Sequence, residues 1–158
     1  MSARDSFSLG QWAAVVDAAP AIARAVAAAA GKPADTVREL GAFETSVASA
    51  TSLGNELLAE LIDAVQDRLA TGASVGPPDR AVMDGIEAAR KAGAILGSLA
   101  APDDAAAVRA WLLGLARTVG SAAREGGVFG IGGAPVSDAE EQLILELSEA
   151  LGSLEHDG

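Results

Sequence analysis

Glu56-Leu57-Leu58-Ala59-Glu60-Leu61-Ile62-Asp63-Ala64-Val65-Gln66-Asp67-Arg68-Leu69 is the stretch that decides the fold class. Its apolar residues fall at 57, 58, 61, 62, 65 and 69, the 3.6-residue period of a helix with one buried face. A half-buried strand would alternate, and this run does not. Glu56, Glu60, Asp63 and Asp67 share the opposite face at spacings of four, three and four, and the helix stops at Thr71-Gly72.

The same period extends on both sides. Ser8 can cap a first helix carrying Leu9, Trp12, Val15 and Val16. Pro20 then heads a run with Ile22 and Val26 that ends at Gly31, so this region reads either as one kinked helix or as two. Pro33 and Asp35 start a further helix with Val37, Leu40, Phe43 and Val47 on one stripe, loosened by Ser and Thr residues from 45 to 52. The stretch 72–78 holds two Gly and two Pro and is the clearest loop. Pro78-Asp79 opens a helix with Val82, Ile86, Ala89, Gly93 and Leu96. Pro102-Asp103-Asp104 opens another, with Val108, Trp111, Leu112, Leu115 and Val119. Ser137-Asp138-Ala139-Glu140 fits a capping box ahead of Leu143, Ile144, Leu147 and Leu151, and Gly152 ends that helix. The expectation is an all-α protein, a compact bundle of about five to seven helices. It forms one domain over 9–152, with tails at 1–8 and 153–158.

Composition agrees. Half of the 158 residues are apolar but only 3% are aromatic, and Ala and Gly supply much of the apolar count. Ala is the best helix former and adds nothing to a strand face. A core of small side chains must rely on close helix–helix approach. Gly85, Ala89, Gly93 and Gly97, four residues apart, provide such a seam, either inside the bundle or as a homo-oligomer interface.

Charge and residue types exclude several functions. The net charge is −11, and from Ser137 onward there are seven acids and no Lys or Arg. This acidity repels phosphate backbones and anionic membrane surfaces, so neither nucleic acid nor membrane is an expected partner. It attracts basic proteins or cations, or serves solubility alone. No cysteine is present, which removes thiolate chemistry and fits a reducing, cytoplasmic setting. The start of the chain has no signal-like apolar run, and Arg24 interrupts the Ala-rich segment that would otherwise suggest a membrane span. The one histidine, His156, is the third-last residue, so a His-based catalytic triad has no positioned base.

Two segments invite a chemical reading. The carboxylates at 56, 60, 63 and 67 could hold a divalent cation, or form a solvated outer face. No Glu-x-x-His pair exists to complete a di-iron site. Gly126-Gly127-Val128-Phe129-Gly130-Ile131-Gly132-Gly133 could line a small-ligand pocket. It lacks the Lys of a Walker loop and a preceding strand, and acids crowd the next helix start, so a sharp interhelical connection is the simpler reading. Trp12 and Trp111 sit on apolar stripes and are expected in the core.

Trp12, Ala19-Pro20, Ala25-Val26-Ala27, Gly31-Lys32 and Glu39 resemble the opening of the bacterial TerB-like proteins associated with tellurite resistance. The Gly-rich stretch, then Val136-Ser137-Asp138-Ala139-Glu140-Glu141 and Ala150-Leu151-Gly152, resembles that family's second half. It also gives an internal echo of helix, Gly-containing loop and acid-headed helix. The resemblance implies an all-helical fold of two pseudo-repeated halves and a role in chemical or metal stress, with acidic loops engaging cations. Carried over residue by residue, it points to Asp35, Glu39, Asp138, Glu140 and Glu141 as metal-ligating candidates. This chain departs from the family at Ala29-Ala30-Gly31 and Gly132-Gly133, which lack the loop acids. The expectation is a non-enzymatic acidic protein acting through protein contacts, without a cofactor beyond a divalent cation.

Overall fold

A computed structural model describes residues 3–30, 33–50, 54–71, 80–126 and 138–152. Six α-helices account for most of them: α1 (Leu9–Ala30), α2 (Pro33–Ala48), α3 (Glu56–Ala70), α4 (Ala81–Leu99), α5 (Pro102–Gly126) and α6 (Asp138–Leu151). A 3-10 turn, Ala3–Ser6, precedes them, and the described residues include no strand. The protein is an all-α bundle.

The helix starts follow local chemistry. The Gln11 N–H donates to Ser8 Oγ at 3.1 Å, and the Ser8 N–H donates to Gln11 Oε1 at 2.8 Å, a reciprocal capping box that fixes the start of α1. At α3 the cap is Asn55, whose side-chain oxygen accepts the Leu58 N–H at 2.9 Å. Asp103 and Asp104 occupy the first turn of α5, where the macrodipole favours them. Gly152 ends α6 with φ at 96°, a left-handed conformation that suits glycine.

α1 is the centre of the bundle. It packs on each of the other five helices. Ala18, Ala19, Ile22, Ala23, Ala25, Val26 and Ala27 are all fully enclosed. A helix covered over most of its surface is apolar over most of it, and Asp17 marks the strip of α1 that still faces solvent. Accordingly Leu9–Ala29 is long and apolar enough to cross a membrane by length and composition, despite Asp17 and Arg24, yet most of it is buried by its neighbours. Pro20 lies inside this helix, which runs unbroken from Leu9 to Ala30; of the two readings open at that position, the structure has one helix. Its ring removes one N–H from the ladder, and packing by five neighbours offsets that loss.

Small residues let α4 come close. A Cβ on Gly85 would stand 2.5 Å from Ala25 Cβ and 2.9 Å from the Ala21 carbonyl oxygen. One on Gly93 would stand 2.5 Å from the Leu151 carbonyl oxygen. The seam therefore faces α1 and α6 of the same chain. α5 contributes Val108, Leu112, Leu115 and Val119, all buried. Its Arg109 reaches across to donate to the Gly93 carbonyl at 3.1 Å, with the guanidinium against Gly152 and its Nε enclosed without a hydrogen-bond partner.

The segment before α1 is less tail-like than expected. Phe7 is buried and meets the Trp12 ring edge-on at 5.6 Å between centroids. The Arg4 guanidinium lies over the same indole at 5.6 Å, and the Arg4 N–H donates to Glu60 Oε1 at 2.9 Å. Leu9, by contrast, is 82% exposed at the first position of α1 rather than on the core stripe. Arg68 pairs with Asp17, tying α3 to α1.

Candidate functional site

Of the metal-ligating candidates, Asp35 and Glu39 fall on α2 and Asp138 and Glu140 on α6, and their side chains lie outside the described residues. Glu141 is exposed on α6. On α3, Glu56, Asp63 and Asp67 are exposed, and Glu60 is half-buried and engaged by the Arg4 backbone. Among the described residues, no three carboxylates or histidines converge as a metal centre would require. Residues 127–133 of the glycine-rich stretch are outside the described residues; Gly126 is the last residue of α5.

The small-residue positions divide. Gly85, Ala89 and Gly93 are buried within the chain's own bundle, so they offer no surface to a second copy. Gly97 is exposed, with Arg109 Nη2 3.3 Å from where its Cβ would be.

Two surface features stand out. The first is the outer face of α6. Leu143, Leu147 and Leu151 turn inward and are buried, which leaves Glu141, Gln142, Leu145, Glu146 and Glu149 outward. Leu145 is 59% exposed and sits one helical turn from both Glu141 and Glu149.

The second is an open groove of about 380 Å³ between the end of α2 and the middle of α5. Ser46, Ser49 and Ala50 form one wall; Trp111, Gly114 and Thr118 line the other. Trp111, expected in the core, packs against it but is only partly buried, on the flank of α5. Val108, Leu112, Leu115 and Val119 take the inward line, and residue 111 lies about 100° around the helix from 112. Trp12 is buried as expected. The Ser49 hydroxyl donates to the Thr45 carbonyl at 3.0 Å, leaving its oxygen free only to accept. A second groove on the other flank of α2 is lined by Glu44, Val47, Ala48 and Leu69, and by Gln66, whose Nε2 donates to the Val47 carbonyl at 3.0 Å. Sequence reasoning missed the Trp111 groove. The available signal was Ala110, Gly114 and Thr118 at four-residue intervals beside an indole.

No family model matches the chain, nor does any curated protein or solved structure.

Proposed function

We propose that this chain is a non-enzymatic, acidic helical protein that acts through protein contacts. The observation that carries the reading is the outer face of α6, where Leu145 stands exposed among Glu141, Glu146 and Glu149. An apolar side chain ringed by carboxylates suits a basic segment that brings its own apolar residue. The net charge of −11, with no Lys or Arg from Ser137 onward, favours the same class of partner by steering. The resemblance to TerB-like proteins supplies the biological setting of this proposal, a role in stress response. The lack of cysteine suits a cytoplasmic one.

The test leaves the fold intact. Removing residues 137–158 would also remove Leu143, Leu147 and Leu151 from the core, so surface substitution is the better tool. The wild-type chain and a Glu141→Gln/Glu146→Gln/Glu149→Gln variant are immobilised, exposed to lysate of the native host, and compared by quantitative mass spectrometry. Partners retained by the wild type and lost by the variant are expected. Identical partner sets would remove the reading.

A further inference from the structure

We infer that the groove between α2 and α5 receives the guanidinium group of an arginine from a basic partner segment, stacked on Trp111. This deepens the protein-contact reading and rests on it, at a surface separate from α6.

Four observations favour a cation that donates hydrogen bonds. The groove lies at the C-terminal end of α2, the negative pole of that helix, and the last turn of α2 carries no basic residue to neutralise it. Ser49 already spends its proton on the Thr45 carbonyl, so a ligand meeting that hydroxyl must be the donor. Trp111 packs partly against the core and lines the groove with its indole, a ring that attracts cations. Lastly, no Lys or Arg lines the groove to repel a cation.

Guanidinium fits better than ammonium. Its plane stacks on an indole while its edge still donates to Ser46, Ser49 or Thr118. The same chemistry occurs within this fold, where the Arg4 guanidinium lies over Trp12 at 5.6 Å. Trp111 has no such internal cation among the residues lining its groove.

Gly114 provides a clean perturbation. A Cβ added there meets nothing within 4 Å, so Gly114→Leu fills the groove in front of Trp111 without a clash at the backbone. The full-length protein, labelled with nitrogen-15, is titrated with a short acetylated and amidated glycine peptide holding one central arginine. The two indole N–H signals are followed separately. A matched peptide with citrulline, which keeps the shape and loses the charge, is the control.

The arginine peptide is expected to shift the Trp111 indole signal and leave that of Trp12 in place. The citrulline peptide is expected to shift neither, and Gly114→Leu should weaken the response about tenfold while the protein stays folded. An unmoved Trp111 signal, an equal response to citrulline, or full binding by Gly114→Leu would each overturn the assignment. None of these results depends on α6, so the Gln variant there tests the broader reading independently.

Discussion

Gly93 lies directly beneath the last carbonyl of α6: a Cβ at this position would stand 2.5 Å from the Leu151 oxygen. Backbone meets backbone here, so no flexible side chain can swing aside. Gly93→Ala is expected to destabilise the fold by about 1–3 kcal/mol, as overpacking of a close contact does. Gly41→Ala is the counterpart. Gly41 is an exposed position within α2 with nothing within 4 Å of an added Cβ, and the change should stabilise by about 0.5–1 kcal/mol. Urea unfolding of the two variants side by side checks the opposite signs.

Asn55 links two helix starts. Its oxygen accepts the Leu58 N–H and its Nδ2 donates to the Asp104 carboxylate at 3.0 Å. Asn55→Ala removes both and is expected to cost about 1–2 kcal/mol. Asn55→Asp keeps the cap but sets two carboxylates against each other. It should fall between the wild type and the alanine variant at low salt and recover toward the wild type at high salt, where the repulsion is screened.

The segment before α1 belongs to the fold. Phe7 is enclosed against Trp12, and Phe7→Ala should destabilise by about 3 kcal/mol. Trp12 reports on this directly. Its fluorescence should move to longer wavelength in the folded variant as water reaches the ring, and a variant as stable as the wild type would contradict the packing described.

The carboxylates of α3 do not converge, and Glu60 is already engaged by the Arg4 backbone. Millimolar Ca²⁺, Mg²⁺ or Mn²⁺ is therefore expected to leave the melting temperature where sodium chloride of equal ionic strength leaves it. A metal-specific rise that Asp63→Asn abolishes would show that the stripe binds after all.

What could be read from the chain beforehand was what depends on neighbours in sequence. Ser8 as the first cap, Pro102-Asp103-Asp104 as a helix start and Gly152 as a stop are all local, and each stands in the structure. The inward lines of α3 and α5 were legible for the same reason, since periodicity is a property of one helix. What depends on other helices was not. Trp111 shares its stripe with Leu112 and Leu115, and only the position of α2 decides that the indole ends on the rim of a groove. Asn55 and Asp104 are forty-nine residues apart, and their bond exists only after α3 and α5 pack. Pro20 could end a helix or sit inside one, and it sits inside α1, which packs on all five other helices. The outer face of α6 was visible as charge but not as a surface, because the exposure of Leu145 follows from which side of α6 meets the core.

α1 is the central helix of the bundle, in contact with all five others. Native-state amide hydrogen exchange tests this most directly. The amides of residues 22–27 should be among the slowest in the chain and exchange only through global unfolding, with a free energy equal to that from urea. Exchange of these amides as fast as those at the ends of α2, while the rest of the bundle stays protected, would contradict it.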